Sequence, residues 1–240
     1  MFRTQVGFTI VAVSLLSATA QAHFPWIKID QKQGKQGTVL FYFEHAPKAG
    51  DGAYLDPFIE RGTFWLTTAD GESTKIELND TKEDKLRWLE TELSEASPRC
   101  IDLYTKWGVY RYGNTDTLLH YYARNIDARD ADDVTALAES KHLKLQLQPQ
   151  LSSGELTVRV TWEGKPLAKQ QINLRSPTVA KNFTTNEDGI AVLPLNRPGN
   201  YALRTKVVKK KSGEFLGKDY AEVHHHSTLL MYIFKQYAAE

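Results

Sequence analysis

The sequence of 240 residues is poor in several features that would narrow its class. Cys100 is the only cysteine, which excludes an internal disulfide, so stability must come from a packed core. Lysine and arginine together number 30 against 29 acidic residues, a formal net charge of +1, which argues against a nucleic acid or another polyanion as partner. After the first residues no run is long and apolar enough to cross a bilayer, so we expect no stable membrane insertion.

Motifs of common catalytic sites are also missing. The sequence contains no phosphate-cradling glycine loop, no Ser/His/Asp signature and no Cys-x-x-Cys. Carboxylates such as Asp51, Asp56 and Glu60 are abundant, but no pair has a spacing that singles it out for acid/base work. We therefore assign no catalytic or organic-cofactor residue and predict that the protein is not an enzyme. Cys100 is expected to behave as a small buried hydrophobic residue.

Residues 1–22 have the pattern of a secretory signal peptide. Arg3 supplies a positive start, GFTIVAVSLL an apolar segment, and Ala20-Gln21-Ala22 a small-x-small cleavage site. The apolar run is about half of the roughly 20 residues that a transmembrane helix needs, which argues against a membrane anchor. We expect cleavage after Ala22, a periplasmic or secreted protein, and His23 as its first residue.

The rest of the chain is typical of strands. Segments rich in aromatic and β-branched residues are broken by Gly, Asp and Asn, which predicts an all-β fold. Leu86, Leu89 and Leu93 have helix-like spacing and suggest one short surface helix within 81–93, and a second charged run at 127–141 suggests a turn or short helix. We predict two antiparallel, Ig-like β-sandwich domains in tandem, over residues 23–140 and 141–240.

Turn motifs in the second half resemble a known domain type. These are Gly164-Lys-Pro166-Leu, Thr185-Asn-Glu-Asp188-Gly189, and Pro198-Gly199-Asn-Tyr201. They resemble the prealbumin-like or carboxypeptidase-regulatory type of Ig-like domain. This resemblance implies an architecture, and such modules have many roles.

Strand alternation selects among the seven histidines. Successive side chains of a strand point to opposite faces. In TVLFYFEH, His45 shares a face with Phe41 and Phe43. In the last strand, His225 lies in line with apolar residues and is expected to point inward, whereas His224 and His226 are expected to meet solvent. The pattern does not assign a face to His120.

His23 as a free amino terminus would carry two metal donors. Its α-amine and its imidazole Nδ1 can close a six-membered chelate, and another imidazole completes the arrangement called a histidine brace. Nitrogen ligands of this kind suit nickel, cobalt, zinc or copper. The rival amino-terminal copper and nickel motif needs amide protons at the second and third residues, and Pro25 has none. We predict a divalent transition metal ion held by His23, His45 and His225, with His120 in reserve.

Four segments together resemble a family of exported bacterial proteins. They are AHFPWI, FYFEHAPKAGDGAYLDP, LLHYYARN and DYAEVHHHSTLLMYIF. The family is described as the periplasmic, substrate-specific component of cobalt and nickel uptake, and the resemblance covers essentially the whole mature chain. It implies metal-binding roles for His23, His45 and His225. The family often has Gly-His where this chain has Glu44-His45, and an apolar residue where it has His120. A role in uptake would require a separate membrane transporter.

Two other functions remain open from the sequence. A structural or adhesive β-sandwich without metal would bind a carbohydrate or an envelope partner through aromatics such as Trp26, Trp65 and Trp107. An oxidative copper enzyme is a third hypothesis, because monooxygenases that cleave polysaccharides also use a histidine brace, but the sequence shows no flat aromatic surface for such a substrate.

Overall fold

The computed structural model describes residues 23–152 and 154–238. The predicted signal peptide lies outside the described residues. Almost all regular structure within them is β-strand, so the predicted all-β class is confirmed.

The first half contains eight strands and two short helices. In chain order these are β1 (Phe24–Asp30), β2 (Thr38–Glu44), α1 (Asp56–Arg61), β3 (Thr63–Thr68), β4 (Ser73–Ile76), β5 (Asn79–Glu83), β6 (Leu86–Glu92), β7 (Arg99–Tyr112), β8 (Thr115–Asp127) and α2 (Ala131–Ala136). The charged run at 127–141 therefore does contain a short helix, α2, whose first turn is capped by the Asp130 side chain accepting from the Asp133 amide.

The second half contains ten strands. They are β9 (Leu145–Ser152), β10 (Glu155–Trp162), β11 (Lys165–Pro166), β12 (Gln171–Arg175), β13 (Ala180–Thr184), β14 (Ile190–Pro194), β15 (Gly199–Lys209), β16 (Gly213–Phe215), β17 (Lys218–Tyr220) and β18 (Glu222–Ile233). A short 3-10 helix, Lys235–Tyr237, follows β18.

Three sheets stack to form the two sandwiches. The central sheet has eight strands in the order β13-β12-β15-β18-β8-β7-β3-β4. The front sheet, β1-β2-β6-β5, covers one face of the central sheet, and the back sheet, formed by β9, β10, β11 and β14, covers the other. β16 and β17 form a separate hairpin.

The central sheet is continuous across residue 140, the boundary between the two predicted domains. β18, from the second half, pairs in parallel with β8, from the first, with His225 opposite His120 and Met231 opposite Ile126. The other strand pairs within the described residues are antiparallel. The last strand of the chain therefore joins the two sandwiches.

Each outer sheet buries its own core. The front core packs Phe41, Phe43 and Leu89 against β3, β7 and β8, and the back core packs β9, β10 and β14 against β8, β12, β15 and β18. Because β8 and β18 are covered on both faces, their side chains are buried almost without interruption.

An ion pair within the back core fastens the segment between the two halves. Arg124 donates from Nε to Asp102 Oδ1 over 2.7 Å, and the two side chains are 1% and 2% exposed. Arg124 also donates to the carbonyls of Leu137 and Ala138, just after α2. The Cys100 thiol lies against this pair and is buried as expected, and burial raises its pKa well above the usual range.

Two sequence predictions are wrong. The short surface helix predicted within 81–93 is absent, because residues 79–92 form the β5–β6 hairpin at the edge of the front sheet. In this hairpin Leu89 points into the core, and its charged neighbours point to solvent. His224 and His226 are only 9% and 8% exposed, because β18 lies inside the central sheet with packing on both faces.

None of the helices in the described part of the chain is both apolar and long enough to span a membrane.

Candidate metal site

The register of the first hairpin brings His23 and His45 together. β1 and β2 pair from Asp30 opposite Thr38 to Phe24 opposite Glu44. The next residue outward on each strand is a histidine, and the centroids of the two imidazole rings lie 4.4 Å apart. Cross-strand neighbours at the end of a ladder thus supply one histidine from just before β1 and one from just after β2.

A carboxylate lies beside this pair. Glu44 Oε2 is 3.6 Å from His23 Nε2, and the side chains of His23 and Glu44 are 25% and 15% exposed. Glu44 approaches Nε2, so it does not approach Nδ1, which is the ring nitrogen nearer the backbone in any histidine. A carboxylate on the outer nitrogen of a histidine orients the ring and raises its basicity as a ligand.

An aromatic pocket of about 230 Å³ opens next to His23. Phe43 forms part of its wall, with its ring centroid 5.7 Å from that of His23. Tyr54 and Trp107 line it as well, and Trp107 donates from Nε1 to the Tyr54 carbonyl at 3.3 Å. His23 therefore lies at a concave, solvent-reachable part of the surface.

His120 and His225 form a second pair on the opposite face of the central sheet. Their ring centroids are 4.7 Å apart. His120 Nδ1 is 2.9 Å from the Tyr104 hydroxyl, and His225 Nδ1 is 3.1 Å from the Tyr122 hydroxyl. The rim of the back sheet closes over them, with Trp162 edge-on to His225 at 4.4 Å.

This second pair is held in the neutral form. Burial, reinforced by the charge of Lys106, lowers the pKa of His120 to about 4. Burial, reinforced by the nearby His120, lowers the pKa of His225 to about 3. Because a buried charge without a counter-ion is costly, both imidazoles are uncharged at neutral pH and are satisfied by tyrosine hydroxyls.

The four predicted ligands are therefore divided between two faces of one sheet. His23 and His45 lie on the front side, and His120 and His225 lie on the back side. No group of three or more His, Cys, Asp or Glu that could hold a metal ion is present in residues 23–152 and 154–238. The set His23, His45 and His225 is not brought together.

Two neighbours of the site were missed from the sequence. Alternation placed Glu44 on the face opposite His45, yet its carboxylate reaches His23 because both residues lie at the open end of the ladder. His226 stacks on Tyr121 and meets Phe24, the residue that follows His23. The register of the β1–β2 hairpin is the signal that could have found Glu44. No local signal indicates His226, because its contact with Phe24 joins distant segments of the chain.

The three tryptophans that the sequence offers for an adhesive surface lie in separate parts of the structure. Trp26 is 2% exposed and donates to the Glu44 carbonyl. Trp65 is stacked on His142 at 4.4 Å. Trp107 lines the aromatic pocket. The three are not arranged as one flat exposed surface.

Comparison with known proteins gives a family. The family model described as "Domain of unknown function (DUF4198)" matches residues 20–209, a range that includes His23, His45 and His120 and ends before His225. The search of curated proteins found no match. Among solved structures, a two fibronectin type-III domain segment from chicken tenascin is similar, with 9% identity, a TM-score of 0.20, and 84% of this chain and 97% of that chain covered.

Proposed function

We propose that this chain, which belongs to the family Domain of unknown function (DUF4198), is an exported protein that binds a divalent transition metal ion at His23 and His45. The observation that carries the proposal is the 4.4 Å approach of these two rings at the predicted amino terminus of the mature chain. Nickel, cobalt and copper are the candidate ions, because all accept nitrogen ligands of this type.

Cleavage after Ala22 would complete the ligand set. The α-amine and Nδ1 of His23, with one imidazole nitrogen of His45, make three nitrogen donors from two side chains. Reference pKa values of about 7.7–8.0 for an α-amine and about 6.5 for imidazole allow a metal ion to displace the protons near neutral pH. This arrangement requires no third ligating side chain.

The contacts around the two histidine pairs favour the front pair, His23 and His45, over the back pair, His120 and His225, as the metal site. Both Nδ1 atoms of His120 and His225 already face tyrosine hydroxyls. His23 is a quarter exposed beside a pocket, and Glu44 is placed to orient its ring. A metal ion can therefore reach His23 through the pocket, whereas His225 is only 8% exposed.

Capture and delivery is the role that we propose for this site. The resemblance to exported cobalt and nickel uptake components supports a periplasmic protein that passes its ion to a separate membrane transporter. An open, partly exposed site at the chain terminus suits transfer better than a fully enclosed one, since closed coordination is typical of structural metal sites.

Extending the chain tests the use of the α-amine. Protein that begins at His23 should bind metal about 100-fold more tightly than protein that begins at Ala20, because the three added residues turn the amine into an amide and open the chelate. Isothermal titration with Ni²⁺, Co²⁺ and Cu²⁺ measures the difference. Equal affinities for the two chains would rule out the amine as a ligand.

A further inference from the structure

A polar groove of about 560 Å³ lies beside the metal site on the front face of the central sheet. The front sheet covers β3, β7 and β8 and also packs on Leu230 of β18 and Ala202 of β15. Beyond this cover, the groove is lined by residues of β12 and β13 and by β15 from Arg204 to Lys206. Phe24 at the end of β1 and Tyr112 at the end of β7 form one side of the groove. Tyr112 also lines the aromatic pocket, so the groove and the pocket adjoin.

The charged side chains of the groove are cationic. Arg204 and Lys206, two residues apart on β15, line it, and no aspartate or glutamate within the described residues does. Burial and then the charge of Arg175 lower the pKa of Arg204, whereas the pKa of Arg124, which is paired with Asp102, is raised. Glu222, close to one end, is bonded to His224 at 2.7 Å.

Arg204 is held in a fixed orientation. Its guanidinium carbon lies 4.0 Å from the centroid of the Phe24 ring, and its Nη2 donates to Asn173 Oδ1 at 2.7 Å. Asn173 in turn donates to Asn182 Oδ1 at 2.8 Å. A stacked guanidinium with unused donors is suited to planar, bidentate recognition of a carboxylate.

We propose that the groove binds a small organic polycarboxylate, with Arg204 and Lys206 holding carboxylate groups. Its volume is large for a single inorganic anion. The amide side chains of Gln171, Asn173 and Asn182 along its open side offer hydrogen bonds to the uncharged part of such a ligand. This site is separate from the His23 and His45 pair and does not need the metal.

Calorimetry on metal-free processed protein tests the proposal, with citrate, tricarballylate and inorganic phosphate as probes at low salt. We expect both carboxylates to bind more tightly than phosphate. Arg204→Gln and Lys206→Gln should each weaken carboxylate binding at least about 10-fold, in line with the strength of charge-assisted hydrogen bonds. Arg159→Gln, an equal change of charge on β10 in the back sheet, should leave it unchanged.

Lys206 is exposed, so its variant should fold even if Arg204→Gln does not. Carboxylate binding that is absent, that is no tighter than phosphate binding, or that survives Lys206→Gln unchanged would overturn the proposal. Because metal is omitted, failure here would leave the metal site untouched, and loss of metal binding in the extended chain would leave the groove untouched.

Discussion

His45→Ala is expected to lower the metal affinity of the processed protein by about 10²- to 10³-fold. Zinc sites with four protein ligands reach about 10–16 kcal/mol, so one ligand contributes about 2.5–4 kcal/mol, which corresponds to that change in Kd. His45 is partly exposed and lies just beyond the end of β2, so its removal should leave the fold intact. Titration of Ni²⁺, Co²⁺ or Cu²⁺ into wild-type and variant protein measures the effect.

Two other histidine variants serve as controls for His45→Ala. His142→Ala removes a partly exposed imidazole that stacks on Trp65, far along the chain from the hairpin, and should leave metal affinity unchanged. His225→Ala removes one member of the back pair and should also leave it unchanged. A large loss with His225→Ala and none with His45→Ala would place the metal on the back of the central sheet and contradict the proposal.

Arg124→Met should lower the free energy of unfolding by about 3–5 kcal/mol. The substitution leaves Asp102, 1% exposed, as a buried charge without its partner, and it leaves the carbonyls of Leu137 and Ala138 without their donor. Because these contacts hold the segment after α2 against the central sheet, the loss should affect both halves together. Urea denaturation followed by tryptophan fluorescence measures the change.

An exposed ion pair provides the comparison. Arg111→Met removes a pair with Asp116 at 3.4 Å in which the side chains are 63% and 43% exposed, and such pairs contribute at most about 1 kcal/mol. The double variant Arg124→Met with Asp102→Leu should be more stable than Arg124→Met alone, since no unpaired charge then remains. If Arg124→Met lowers the free energy of unfolding no more than Arg111→Met does, the buried Arg124–Asp102 pair does not hold the segment after α2 against the central sheet.

The strands could be predicted from the sequence because their alternation and composition are local. TVLFYFE and the final strand were recognised, and β2 and β18 lie within them. The parallel pairing of β8 with β18 could not be predicted, since it joins segments about 100 residues apart and leaves no local pattern. The β5–β6 hairpin was misread because only Leu89 is deeply buried, and a nearly polar edge hairpin has little alternation.

The site was only partly predictable for a related reason. Alternation tells which side chains of a strand share a face, but not which sheet covers that face. His45 and His225 were both expected to point inward, yet they face different cores on opposite sides of the central sheet. His224 and His226 were wrongly expected in solvent because a strand covered on both faces has no solvent side.

Native mass spectrometry of the exported, tag-free protein is the sharpest test of metal binding at the processed amino terminus. We predict a chain that begins at His23 and carries one nickel, cobalt or copper ion, with the ion lost in His45→Ala. A first residue other than His23, or a processed protein without stoichiometric metal even after incubation with these ions, would contradict the proposed site and favour a β-sandwich that binds a carbohydrate or an envelope partner without metal.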